Sequence, residues 1–162
     1  MASPEPMIRR PQGAAELEEC ARLMAGQEPW LTLRRDYQQA LKLLSDPSRE
    51  VYVAAGEGGL AGFIILVMGG AFRGYIQTIA VAPAWQGHGI GSKLIAFAEE
   101  RIFSESPNAF ICVSDFNDKA RRLYERLGYK LVGELKDFVV AGHSELLLRK
   151  SIGPLDGFRP RR

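Results

Sequence analysis

Three glycines at alternate positions, in Gln86-Gly87-His88-Gly89-Ile90-Gly91-Ser92-Lys93, stand at the head of an apolar stretch of helical period. Glycine lets the main chain turn through left-handed conformations and leaves its N–H groups approachable. At the start of a helix those donors and the positive end of the dipole can hold a phosphate. Two familiar phosphate loops do not fit. A dinucleotide fingerprint counted from Gly87 requires glycine where Ser92 stands, and a P-loop requires Gly-Lys-Ser/Thr where the chain runs Ser92-Lys93-Leu94. Taken alone, the run reads equally as a flexible strand-to-helix turn.

A second constellation follows at Asn117, Ala120, Tyr124 and Gly128-Tyr129. A tyrosine phenol, with an ordinary pKa of about 10, is a proton donor at neutral pH. Tyr124 also falls on the apolar stripe of its helix, and Asn117 also suits a helix cap. Asp115, Glu134, His143 and Glu145 are available as proton acceptors by chemistry alone, although each such residue is more often a surface or structural one than a base. Cys20 and Cys112 are far apart and match no metal spacing, so no metal is expected, and each reads as a small core residue in a reducing cytoplasm.

The elements that must position these groups follow from periodicity. A short strand at Met7 to Arg9 precedes a helix with Leu17, Cys20, Ala21 and Met24 on one face. Gly26 and Pro29 end it, and a second helix carries Leu33, Tyr37, Ala40, Leu41 and Leu44 up to Asp46-Pro47. Val51 to Ala55, Gly58-Gly59 and Leu60 to Met68 form a hairpin whose second strand, apolar on both faces, belongs inside a covered sheet. A strand at Tyr75 to Val81, a helix with Ile90, Leu94, Phe97, Ala98 and Ile102 inward, a strand at Ala109 to Ser114 and a helix closed by Gly128 follow. Strands at Tyr129 to Leu135 and Ser144 to Lys150 flank the loop Lys136 to His143. The order β-α-α-β-β-β-α-β-α-β-β predicts a mixed α/β sheet with helices on both faces.

In this frame the chain resembles the GNAT superfamily of acetyl-CoA-dependent N-acetyltransferases. Gln86 to Gly91 matches Q/R-x-x-G-x-G/A after the strand Ile79-Ala80-Val81, and Asn117 to Tyr129 matches N-x-x-A-x-x-x-Y-x-x-x-G-Y/F. The resemblance covers about residues 7–150 and implies a mixed, largely antiparallel central sheet of about six to seven strands with helices on both faces. It implies that the amides of Gln86, Gly87, His88, Gly89, Ile90, Gly91 and Ser92 bind the pyrophosphate of coenzyme A. It further implies that Ile79, Ala80 and Val81 bond its pantetheine arm, with Asn117 and Tyr124 beside it. Tyr124 is then the general acid for the leaving thiolate and the Val81 N–H the donor to the oxyanion. The helix start at Lys119, Arg121 and Arg122 offers a cation for the 3′-phosphate or a merely solvated face. His88 itself reads as a solvent-facing filler. Some members carry a glutamate base on the fourth strand, where Tyr75 stands here. The family walls its acceptor site with the segment between the first two helices and the later loop, which makes Glu28, Trp30, Tyr75, Phe138 and His143 the specificity candidates, although Trp30 serves equally as a plug over the core.

Composition bounds the rest. The 162 residues suit one domain, here residues 7–150 with a basic tail at 151–162. Hydrophobic residues at 46% and charged residues at 25% are those of an ordinary soluble globular chain. Lys plus Arg is 21 against 19 acidic residues, and Arg159, Arg161 and Arg162 less Asp156 account for the whole +2. A neutral body argues against nucleic-acid binding. The apolar stretch Leu60 to Phe72 is too short to span a bilayer, and Met1 to Arg10 has no apolar signal segment, so a cytoplasmic protein without membrane contact is expected. The expected activity is direct acetyl transfer, within a ternary complex, to a primary amine of a small molecule or a peptide amino terminus. The alternative is a noncatalytic acyl-CoA-binding regulatory module. A homodimer is compatible with the family, though no residue marks an interface.

Overall fold

The computed structural model describes residues 5–160, so Arg161 and Arg162 of the tail and the first four residues of the leader lie outside it. Its strands are β1 (Met7–Arg9), β2 (Glu50–Gly56), β3 (Gly59–Val67), β4 (Tyr75–Val81), β5 (Asn108–Ser114), β6 (Lys130–Leu135) and β7 (Glu145–Ser151). Its helices are α1 (Ala14–Ala25), α2 (Tyr37–Leu44), α3 (Ile90–Phe103) and α4 (Asp118–Arg126). The strands form one sheet in the order β1-β2-β3-β4-β5-β7-β6, antiparallel throughout except for β4 with β5.

Alternation along β2 and β3, interrupted by a register shift near Ala54 and Ala55, divides the core in two. Val51, Val53, Phe63 and Ile65 pack with Cys20, Ala21, Met24, Ala40 and Leu44 of α1 and α2. Tyr52, Ala54, Ile64 and Leu66 point the other way, against Leu94, Ile95, Ala98 and Ile102 of α3. Burial on both faces explains why β3 reads as a continuous apolar run. Arg101 of α3 grips Glu50 of β2 through two hydrogen bonds of 2.9 and 2.7 Å, pinning that helix against the sheet.

The second helix starts later than its apolar pattern suggests. Leu33 lies before it, in turns that include a left-handed Arg34 at φ 54°. Asp36 and Gln39 set the start by reciprocal bonds of 2.9 and 3.0 Å, a capping box that outweighs periodicity. Leu33 is nonetheless buried, which is the reason it mimics a helical position.

Gly74 secures the joint where β4 meets β5. Its N–H donates to the Val67 carbonyl and its own carbonyl accepts from the Phe110 N–H at 2.9 Å. It sits at φ +90°, and a β-carbon there would meet Ile102 Cγ2 at 2.6 Å and press on the Asn108 carbonyl. Gly74→Ala is expected to cost about 2 kcal/mol or more, lowering Tm by about 5 °C or more in thermal unfolding.

Candidate active site

β4 and β5 run parallel for only two residue pairs, Tyr75 with Phe110 and Ile76 with Ile111. Beyond them the strands separate, leaving a gap at the C-terminal ends of two parallel strands. Ala82 donates to Ala61 of β3 at 2.8 Å. Successive strand amides alternate sides, so the N–H groups of Ile79 and Val81 face the gap. The Val81 carbonyl, on the same side, accepts from Gln86 Nε2 at 3.3 Å.

One side of the gap opens into a cleft of about 530 Å³ lined by Ile79, Ala80 and Val81, by Gln86, Gly87, Gly89, Ile90, Gly91 and Ser92, and by the facing side of α4. Gly87 and Gly89 are left-handed, at φ +78° and +79°, and a β-carbon on either would meet nothing within 4 Å. The first main-chain bond of α3 runs from the Lys93 N–H to the Gly89 carbonyl, and no side chain caps the helix. The N–H groups of Ile90, Gly91 and Ser92 therefore lack intrahelical partners and converge where the dipole is positive. Lys119 and Arg126 line the same cleft. This set suits a diphosphate.

The other side opens into a cavity of about 350 Å³. Met24, Pro29, Trp30, Leu33 and Leu43 wall it from the α1–α2 layer, Tyr75 to Ile79 from β4, Ile111 to Ser114 from β5, and Phe138, Val139 and Glu145 from the far side. Pro29, Trp30, Ile79, Asn117 and Tyr124 belong to both spaces. Tyr124 packs in the α3 layer yet lines both spaces, so it stands where they meet. Burial pushes its phenol up, which keeps it protonated well beyond neutral pH. Asn117 caps α4 by accepting from the Ala120 N–H at 3.2 Å, fixing the helix that carries Tyr124.

The remaining candidates divide. Glu28 lines the diphosphate cleft rather than the acceptor cavity and bonds Thr32 at 2.9 Å. Phe138 borders the acceptor cavity although its side chain is largely exposed. His143 lies outside both linings, with its ring 3.4 Å from Asp115 and edge-on to Phe116. His88 is exposed and turned back on the Gln86 carbonyl. Arg121 pairs with Glu125 on the surface, and Arg122 is absent from the cleft lining, where Arg126 stands instead. Lys119 and Arg126 are seven residues apart and so share a helix face, a signal available in the sequence. Cys20 is a core residue whose thiol burial pushes up to about 12, whereas Cys112 is only partly buried and lines the acceptor cavity.

A parted sheet with an uncapped helix start on one side and a second cavity on the other is a geometry that suits transfer of a group between two molecules. Residues 13–129 match the acetyltransferase (GNAT) family, and the chain belongs to that family. It is 32% identical over 147 residues to the N-alpha-acetyltransferase RimI of Mycobacterium tuberculosis, covering 88% of this chain and 87% of that protein. A GNAT-family protein from Desulfovibrio desulfuricans has a similar fold, with a TM-score of 0.73 and 23% identity over 91% of this chain and 99% of the other. An aminoglycoside 6′-N-acetyltransferase complexed with coenzyme A gives 0.67 and 17% over 96% and 99%. The protein is an N-acetyltransferase that uses acetyl-CoA. Among the described residues no helix is long and apolar enough to cross a membrane.

Gly89→Glu places a carboxylate in the open space beside the uncapped helix start. It is expected to abolish acetyl-CoA binding at concentrations up to millimolar in calorimetry while the variant still unfolds cooperatively.

Proposed function

We propose that this protein acetylates the α-amino group of a peptide, by direct transfer while peptide and acetyl-CoA are both bound. The lining of the acceptor cavity carries the proposal. Among its described residues Glu145 is the one acidic side chain and Arg35 the one fully charged base, set among apolar and neutral walls. A polyamine or aminoglycoside would bring several ammonium groups to a single carboxylate and a repelling guanidinium. A peptide end brings one ammonium followed by neutral amides. The likeness to a RimI N-alpha-acetyltransferase supports the same reading.

Acetyl-CoA supplies an acyl group activated as a thioester. The free amides of Ile90, Gly91 and Ser92 hold its diphosphate, Lys119 and Arg126 add positive charge, and the cleft-facing edge of Ile79 to Val81 bonds its arm. The Val81 N–H donates to the carbonyl oxygen as that oxygen gains charge, an effect of about 3 to 4 kcal/mol for one positioned donor. Tyr124, held protonated by burial, gives its proton to the departing sulfur. Direct transfer is favoured over an acylated protein because the one thiol in the cavity, Cys112, is pushed up by burial and is a poor nucleophile.

Tyr124→Phe is expected to lower kcat by about 10²-fold with acetyl-CoA affinity little changed. In a screen of released thiol, hexapeptides with free amino termini should outperform spermidine, kanamycin and free amino acids. Faster turnover of a polycationic amine than of every peptide would overturn the choice of acceptor.

A further inference from the structure

Glu145 opens β7 directly opposite Ser114 of β5, so the two side chains stand on one face of the sheet. Cys112, two residues along β5, shares that face and the acceptor cavity with them. Glu145 is 6% exposed, and its carboxyl accepts from Ser114 Oγ at 2.7 Å. No cation pairs with it among the described residues, whereas a buried carboxylate ordinarily has one. The other carboxylate near this end, Asp115, lies outside the cavity and is already occupied by the Ser144 N–H at 2.9 Å and by His143. Glu134, on the edge strand, is exposed and borders neither space.

We infer that Glu145 is the base of the transfer: it receives the acceptor's ammonium group as its missing counter-ion and takes one proton from it. This deepens the proposed function and rests on it. The proton passes from nitrogen to the Glu145 carboxylate, leaving a neutral amine. The nitrogen–carbon bond then forms as the carbon–sulfur bond breaks, the sulfur takes the Tyr124 proton, and the second nitrogen proton restores the Tyr124 phenol. Glu145 releases its own proton to solvent, so the cycle yields amide, thiol and one proton. An α-ammonium has a pKa of about 7.7 to 8.0 against about 10.4 for a lysine-like amine, so a carboxylate is the better matched base for a peptide end.

The groups facing Glu145 set its titration. Tyr75 from β4, Cys112 from β5 and Tyr124 from α4 line the cavity as neutral groups, Arg35 stands on the α2 side, and Asp115 with His143 lies beyond Ser114. Burial raises the Glu145 carboxyl above the ordinary range, Ser114 draws it back, and Asp115 raises it further. A raised base is active only above its own pKa, so kcat at saturating substrates rises with pH on the acidic limb. The experiment measures kcat against pH for a hexapeptide accepted by the wild-type protein. Glu145→Gln should lower kcat by about 10²-fold with acetyl-CoA affinity retained in calorimetry. Ser114→Ala, which removes the hydrogen bond favouring the charged form, should move the acidic limb to higher pH, a change that a merely structural carboxylate would not produce. Unchanged kcat in Glu145→Gln, or an unmoved limb in Ser114→Ala, overturns the assignment while leaving the acceptor reading intact. A wild-type protein that transfers acetyl to no peptide overturns both.

Discussion

Hydrogen bonding between β4 and β5 stops after Ile76 and Ile111, and the chemistry follows from that interruption. A continuous ladder would consume the amides of Ile79 and Val81 and the facing main-chain edge of β5 at Cys112 and Ser114. With the ladder broken, unpaired main-chain donors face a space wide enough for a ligand. Such edges are unfavourable unless something pairs with them. An extended molecule lying between the strands supplies partners that the missing strand would have provided. The strands beside the gap are fixed by features away from it: the bonds of Gly74 at the start of the paired stretch, the two-layer packing of β3, and the grip of Arg101 on Glu50.

Charge is handled by contrast on the two sides. The cleft beside α3 offers main-chain donors and two exposed cations, Lys119 and Arg126, a set that would keep a strongly hydrated anion near water. The other cavity has one basic and one acidic side chain, Arg35 and Glu145, among its described lining residues. Burial there raises Tyr75, Tyr124, Cys112 and Glu145 together, since each would ionise to an anion in a poorly solvated wall. Of these four the carboxyl is by nature the most acidic, and it stands on β7 whereas Tyr124 stands on α4.

Much of this was legible in the sequence because local rules and global fold agree. The glycine run, the Asn117 cap and the apolar periods place every strand and helix to within a few residues, with the start of α2 displaced by the Asp36 capping box. Function in the loop and in α4 is likewise local, since spacing along one segment fixes which groups converge. The acceptor side was less legible. Asp115, Glu134, His143 and Glu145 are equivalent as chemistry, and only the pairing of Ser114 with Glu145 across distant strands brings one of them into the cavity. Register across strands is a tertiary property with no trace in either strand alone. Trp30 and Leu33 are similar: turns rather than helix carry them, and their burial depends on the layer beneath.

The five residues common to both chambers make a partition rather than two separate walls. Trp30 and Tyr124 are large, and their rings are the surfaces each occupant would press upon. Any displacement of that partition by a molecule on one side alters the room left on the other. Whatever help or hindrance the first guest gives the second must then be returned in equal free energy, because linkage between two equilibria is symmetric.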